Sequence, residues 1–419
     1  MLSYREALAL ILVRLGPLPA GTVKLEEAAG RVLAQEIMAA SDSPSFDNSA
    51  VDGYAVRVAD TAGAAETAPV RLRLSGTVAA GAAAVPVLEP GAAIKIMTGA
   101  RLPRGADAVI MKEFAGEQGR SVLLRRAVHD GENIRRRGAE FRKGQRVLSA
   151  GTRINVPAIG LVAAFGQAEV RVFGRPLVSI ISTGSELVAP GAPRREGQIY
   201  DSNSVALAAA CRELGVEVRY CARVADRRSE LLKRLRRALH CSDVLLTAGG
   251  VSVGDKDLVR ECCVELGVEE VFWRVAIKPG KPVYFGIRQT GTGKKTGGDS
   301  GGQLKAVFGL PGNPVAALLC FHQLVKPALL KMMGQASRKR PVLSALLVER
   351  LSKKAGRLEW VRGVLAAKGG ALAVRPVTGQ ESHMLGGLAQ AECLILFPAS
   401  RVTLEKGSRV QVEILDWRG

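Results

Sequence analysis

The chain reads as a multidomain α/β plus β protein: a doubly wound α/β domain, with an inserted β-rich domain before it and a C-terminal β-barrel-like domain after it. Three observations predict this. At 419 residues the chain exceeds one ordinary core, and usual domain sizes suggest about three compact units. From Pro176 onward, continuous apolar runs alternate with helical patterns, the rhythm of a doubly wound sheet that binds ligands beyond the carboxyl ends of its strands. On either side of that region, short β-like runs are separated by Gly and Pro, as in small β domains.

The first element is a helix. Ser3 and Glu6 have the spacing of a capping box, and Leu8, Ile11, Leu12 and Leu15 fall on one face. The apolar run Ala7 to Val13 is flanked by Glu6 and Arg14 with no small-residue cleavage site after it, so it is not read as a signal peptide. Pro44 to Tyr54 reads as irregular and turn-rich. Strand candidates follow at Val70 to Leu74, Ala93 to Met97, Ala108 to Met111 and Val122 to Leu124. Val156 to Phe165 resumes helical spacing after Pro157 and is expected to pack with the first helix. The predicted domains are 1–40 with 132–174 (discontinuous and helical), 41–131 (β-rich), 175–335 (α/β) and 336–419 (β-barrel-like).

Within the α/β region, the predicted order is strand Leu177 to Ile181, helix Asn203 to Leu214, strand Glu217 to Arg223, helix Ser229 to Leu239 and strand Asp243 to Thr247. Helix Lys256 to Leu266, strand Val271 to Ile277 and strand Lys305 to Phe308 complete it, with Asn313 as N-cap and Pro314 opening a helix to Met333. Three Gly-rich loops fall at strand ends: Thr183, Gly184, Ser185, Glu186; then Gly249 to Gly254, including Gly250 and Ser252; then Pro311, Gly312, Asn313. Glycine lets backbone approach a ligand, and consecutive N–H groups at a helix start hold an oxyanion. Three separate tight turns are the structural alternative; a shared anion cradle explains all three at once. Past Lys339, strands are expected at Leu343 to Glu349, Glu359 to Leu365, Ala371 to Val377, Cys393 to Phe397 and Arg409 to Leu415. Ile287 to Leu304 reads as a linker-like insertion; its Gly-Lys run fails the Walker pattern at Arg288 and Lys295.

A net charge of +20 admits nucleic acid, acidic membrane or small anions as partners. The basic pairs are scattered, and aromatics make up only 4%, so stacking platforms for single strands are scarce. Most of the charge is therefore read as solvated surface; neither nucleic acid nor membrane is the expected partner. No run approaches the roughly eighteen apolar residues of a membrane span. Seven cysteines without a CxxC pair fit reduced thiols and a cytoplasmic protein. Four scattered histidines argue against a histidine metal site, and no GxSxG elbow is present. Asp226 and Asp257, with Asp255, are hard oxygen ligands of the kind magnesium uses beside phosphates, or alternatively charges complementing a helix dipole. Arg274, Lys278 and Lys281 gather around a Gly-Pro turn suited to anion capture.

These residues resemble a known family. Phe46 to Ala55 (FDNSAVDGYA) is similar to the signature of the molybdopterin molybdenumtransferases, the MoeA and gephyrin E-domain family. IMTGA at 96–100, NIRRRG at 133–138, TGSEL at 183–187, GGVSVG at 249–254, IKPGKP at 277–282, GLPGNP at 309–314 and Ser382-His383-Met384 match in order over nearly the whole chain. The resemblance implies an α/β domain of the molybdenum-cofactor-biosynthesis type and an elongated homodimer whose discontinuous domain dimerises. It implies molybdate and adenylylated molybdopterin as substrates, AMP release, magnesium assistance and contact with the molybdopterin adenylyltransferase. It makes Asp52, Glu186, Asp226, Asp257 and Lys278 the catalytic candidates, with Asp226 and Asp257 toward magnesium. Thr183, Gly184, Ser185, Gly249, Gly250, Ser252, Gly254, Pro311, Gly312 and Asn313 become substrate contacts. Arg274, Lys278, Lys281, Arg362 and Ser382 become oxyanion contacts. Arg274 replaces a frequent Lys, Ala139-Glu140 replaces an acidic pair, and the 289–303 insertion is long for the family. A scaffold of the gephyrin kind is the alternative from another class; retention of the acidic residues favours catalysis. A third reading, charge-driven nucleic-acid binding, would require steeply salt-dependent association.

Overall fold

The computed structural model describes residues 1–250, 258–290, 303–335, 341–368 and 370–417. Two compact units emerge, one made of Met1–Val23, Gly30–Ala34 and Arg171–Gly419, the other of Lys24–Ala29 and Gln35–Val170.

Helix α1 (Tyr4–Arg14) starts on the expected capping box: Ser3 Oγ accepts from the Glu6 N–H and Glu6 Oε2 accepts from the Ser3 N–H at 2.8 Å. Ala7, Ile11 and Leu15, one stripe at i, i+4, i+8, are buried in the core of the α/β region. The helix therefore buries its apolar face in the core of its own unit. Leu8, expected on this face, is half-buried against the same core, and Ala7 joins the stripe as a residue that the sequence pattern did not single out.

The unit of 35–170 carries a six-stranded sheet of β1 (Gly53–Val56), β2 (Val70–Val78), β3 (Ala92–Ile96), β4 (Ala108–Met111), β5 (Ala115–Gln118) and β6 (Ser121–Leu124), in the order β4-β1-β3-β2-β6-β5. All four β-like runs are strands. The stretch 44–54 is less irregular than expected: Asn48–Ser49 pairs with Ile134–Arg135, and Gly53 and Tyr54 open a fully buried interior strand. Gly53 permits this, because a Cβ there would lie 1.9 Å from the Ile110 carbonyl oxygen. Helix α2 (Val156–Ala164) is capped by the Asn155 side chain, which accepts from the Ala158 N–H at 2.9 Å.

In the other unit, β7 (Leu177–Thr183), β8 (Glu217–Val224), β9 (Val244–Ala248), β10 (Glu269–Trp273), β11 (Ile277–Lys278), β12 (Tyr284–Thr290) and β13 (Gln303–Leu310) follow one another along the chain. All but β11 form one sheet, in the order β8-β7-β9-β13-β12-β10. The first four of these run parallel, with α3 (Ser202–Glu213) joining β7 to β8, α4 (Arg228–Cys241) joining β8 to β9 and α5 (Leu258–Glu265) leading from β9 to β10, and β12 is antiparallel to both neighbours. Two expectations need correction. The strand of 271–277 breaks at Arg274, which takes a left-handed φ of 75°; β11 then leaves the sheet and pairs with the C-terminal barrel. The insertion is no linker at its ends, since β12 and β13 pair up to Thr290 opposite Gln303; its Gly-Lys centre, 291–302, lies outside the described residues.

Helices α6 (Pro314–Cys320) and α7 (Lys326–Met332) are continuous through a π turn at Phe321–Val325. Contrary to the sequence reading, Pro314–Met332 is long and apolar enough to cross a membrane, but 72% of that window is buried inside the protein, as in the core helix of a globular domain. Asn313 precedes α6 without a side-chain cap bond. The C-terminal strands β14 (Val342–Leu347), β15 (Leu358–Lys368), β16 (Ala371–Pro376), β17 (Cys393–Phe397) and β18 (Arg409–Ile414) close into the expected five-stranded barrel, because β15 pairs with both β16 and β17. Helix α8 (Leu385–Gln390) lies between β16 and β17 in sequence.

Candidate functional site

Strands β7, β9 and β13 are adjacent and in register: Ser182 lies opposite Ala248, and Ala248 opposite Leu310. With strands about 4.8 Å apart, the three Gly-bearing loops leave the sheet side by side. The loops also touch. A Cβ on Gly249 would meet the Thr183 carbonyl oxygen at 2.7 Å, one on Gly250 the Thr183 Oγ1 at 2.9 Å, and one on Gly312 the Gly249 Cα at 3.6 Å. Gly249 and Gly250 take φ of 90° and 68°, which L side chains rarely adopt.

Each loop has its own support. Asp201, buried at the N-terminus of α3, accepts from the Ser182 hydroxyl at 3.1 Å and from the Ser204 N–H at 3.0 Å. Asn203 Nδ2 donates to the Gly312 carbonyl at 2.6 Å. Ser185 Oγ accepts from the Asp226 N–H at 3.3 Å, which joins the exposed Asp226 to the first loop. The Glu186 carboxylate lies against Gly184, where a Cβ would fall 2.5 Å from its Oε1. Thr183 is 8% exposed, and its Oγ1 has no hydrogen-bond partner among the described residues. Such a buried hydroxyl is costly unless something bonds to it. Ser252, Gly254, Asp255 and Asp257 lie outside the described residues.

Beside the third loop is a cavity of about 240 Å³, whose lining includes Lys278, Lys281, Arg357, Arg362, Glu359 and Ser382. Pro311 and Asn313 line it too, so it shares a wall with the cradle. The Asn313 amide instead reaches across to the barrel, its Nδ2 donating to Ser382 Oγ at 2.8 Å. The helix end is served instead by backbone, the Val315 N–H donating to the Ser382 carbonyl at 3.1 Å.

Arg362 is 1% exposed. Its guanidinium donates to the carbonyls of Gly379 (2.8 Å), Glu381 (3.3 Å) and Met384 (3.4 Å) and to Gln380 Oε1 (3.3 Å). Burial holds it below the usual arginine range, with Glu381 opposing; an arginine stays charged regardless. Arg362 thus fixes the loop that carries Ser382 as well as facing the cavity.

The structure does not gather every sequence candidate. Arg274 is absent from the cavity lining and stacks over Trp273, 3.7 Å from the ring centroid. Asp52 belongs to the other unit, where Thr98 donates to Oδ1 through its N–H and its hydroxyl, each at 2.8 Å. The backbone bond from Thr98 does most to hold this carboxyl below the usual carboxylate range, with Lys112 adding a smaller pull. Sequence reasoning missed Asn203, Gln380, Arg357 and Glu359. Gln380 stands two residues before Ser382, but for Glu359 only the pairing of β11 with β15 supplies a signal.

Residues 2–166 match the family described as MoeA N-terminal region (domain I and II), 179–331 the probable molybdopterin binding domain, and 344–415 the MoeA C-terminal region (domain IV). A molybdopterin molybdenumtransferase of Haemophilus influenzae is 36% identical over 420 residues, covering 99% of this chain and 98% of its own. The chain belongs to the molybdopterin molybdenumtransferase (MoeA) family. Molybdopterin molybdenumtransferase 2 of Mycobacterium tuberculosis is 38% identical over 398 residues, 93% of this chain and 94% of its own. A molybdopterin biosynthesis MoeA protein from Pyrococcus horikoshii OT3 has the same fold, with a TM-score of 0.80, 31% identity and coverage of 99% and 100%. Membership in this family of transferases agrees with the resemblance read from the motifs.

Proposed function

We propose that the protein inserts molybdenum into adenylylated molybdopterin, taking molybdate and releasing molybdenum cofactor and AMP as the last step of molybdenum cofactor biosynthesis. One observation carries this reading: a triple-loop cradle at the ends of β7, β9 and β13 shares Pro311 and Asn313 with a cation-lined cavity. The cradle suits the nucleotide and pterin, because its glycines admit close backbone approach and Thr183 Oγ1 awaits a partner. The cavity suits the tetrahedral oxyanion, held by Lys278, Lys281, Arg362 and Ser382 within reach of the dithiolene end. Glu186 is proposed to orient the pterin or nucleotide part.

No cluster of three His, Cys, Asp or Glu occurs among the described residues. Magnesium bound through substrate phosphates needs only one or two carboxylates, and Asp226 at the first loop fits that demand, with Asp257 the second proposed ligand. Bound there, magnesium would neutralise the phosphoanhydride. A homodimer is proposed, with Asp52 completing the site from the partner subunit and the adenylyltransferase delivering substrate by transient contact. Seven free cysteines support a cytoplasmic setting.

Incubation of the folded protein with adenylylated molybdopterin, magnesium and molybdate should release AMP together with metal-loaded cofactor. If neither product forms, the reading fails.

A further inference from the structure

One residue in the cavity wall has the wrong sign for an anion seat. Glu359 Oε1 lies 2.8 Å from Lys278 Nζ, and the acid is the more sheltered partner, its side chain 13% exposed against 50% for the lysine. The pairing is built into the backbone. Strands β11 and β15 run parallel with Lys278 directly opposite Glu359, so the two side chains leave neighbouring positions of one ladder. More cations surround this acid. Lys353 Nζ donates to the Arg357 carbonyl at 2.8 Å; burial first pushes that ammonium below the usual lysine range, while Glu359 opposes the shift and Lys278 and Arg357 reinforce it. Glu381, the other acid in the lining, is exposed.

We infer that Glu359 is the resident counter-ion of the oxyanion seat: it holds Lys278 until a divalent oxyanion displaces it, and thereby sets how strongly charged an anion must be to enter. The inference rests on the reading of this cavity as the molybdate seat. An incoming anion meets the Glu359 charge at short range and must draw the Lys278 ammonium toward itself. A dianion gains twice the attraction from each remaining cation that a monoanion does. Freeing Lys278 from Glu359 costs the same whichever anion enters, so that fixed cost weighs most against chloride and nitrate, whose gain from the surrounding cations is half that of a dianion. Specificity built on a disfavoured competitor is a general device. Lys278 is the ligand here and Glu359 a positioning residue, acting through it.

The test is titration of the full-length protein with molybdate, with and without chloride as competitor, in wild type, Glu359→Gln, Glu359→Asp and Lys278→Ala. Glu359→Gln should tighten molybdate binding on the order of tenfold and let chloride compete, since one screened unit charge at contact range is removed. Glu359→Asp keeps the charge and should stay near wild type. A merely structural acid gives the opposite sign, because a broken ion pair loosens the seat and weakens binding. Unchanged or weaker binding in Glu359→Gln, while Lys278→Ala loses affinity, overturns the counter-ion role and leaves the seat standing. If Lys278→Ala binds molybdate as wild type does, the seat itself is wrong and the inference falls with it. Should Glu359→Gln not fold, Glu359→Ala is read by the same criterion.

Discussion

At the scale of single residues, the cradle depends on atoms that are missing. Gly249 combines a left-handed φ of 90° with a backbone oxygen 2.7 Å from where its Cβ would stand. Gly191 has a similar φ of 85° and nothing within 4 Å. Both changes to alanine bear the conformational penalty of roughly 1–3 kcal/mol, but only Gly249→Ala must also move Thr183. We expect Gly249→Ala to abolish AMP release and to lower unfolding stability by more than Gly191→Ala does, as read by denaturant titration; equal losses would show that the contact with Thr183 is not rigid. The three motifs were legible in the sequence because glycine at a strand end has few uses. The role of Arg362 was legible only in part. Its motif position suggested an oxyanion contact, whereas its bonds to the Gly379, Glu381 and Met384 carbonyls depend on a loop 17 to 22 residues away.

At the scale of elements, α1 shows how a local signal and a long-range one separate. Its start was written in Ser3 and Glu6, and the capping box formed as the spacing required. Its destination was not, since amphipathic pattern says which face is buried and not what covers it. Ile11 is fully buried among the α/β core residues. Ile11→Ala should destabilise that unit by roughly 2–5 kcal/mol through lost burial and the cavity left behind, measured as a shift of the denaturant midpoint; a loss below 0.5 kcal/mol, the range of exposed surface changes, would mean that the helix is not anchored there. The split of the predicted strand 271–277 has the same origin. Arg274 takes its left-handed φ where its N–H donates to the Val283 carbonyl at 2.9 Å and the Ala276 N–H just beyond donates to the Leu2 carbonyl at 2.7 Å, tertiary partners that propensity does not record, and β11 then runs to the barrel and to Glu359.

At the scale of the whole molecule, hydrogen-bonded carboxylates tie stability to pH. Asp42, Asp47, Asp52 and Glu132 in one unit, and Asp416 in the other, are all held below their ordinary carboxylate range. A backbone N–H bond does most of this for Asp42, Asp47 and Asp52, the Arg126 bond for Glu132 and the His322 bond for Asp416. Folded carboxyls with depressed pKa release their protons more readily than unfolded ones, so the unfolded chain binds protons first as pH falls. Their stabilisation is complete above the unfolded carboxylate range, near pH 4, and is lost below it. Protonation also strips counter-charge from a chain of net charge +20, adding self-repulsion. The calorimetric unfolding temperature should stay level from about pH 7 to 5 and fall steeply below about pH 4; a midpoint that holds to pH 3 would contradict this account. The scattered basic clusters are partly neutralised, as where Arg136 Nη1 meets Asp47 at 2.9 Å, which fits the reading of the charge as surface.

The sequence by itself determined the family, the alternation of strands and helices, the barrel strands and the three loops, because each rests on short-range chemistry: a period, a cap, or a glycine where backbone must turn or come close. Tertiary structure alone decided which of those pieces meet. Register aligned Ser182, Ala248 and Leu310 so that separate loops became one cradle. Strand pairing set Glu359 against Lys278 across some eighty residues of chain, and packing set Arg362 against the carbonyls of Gly379, Glu381 and Met384 beside the cation-lined cavity. Contacts between residues far apart in sequence leave no local pattern, since any one of many compatible partners would satisfy the same burial and hydrogen-bonding needs until the fold selects among them.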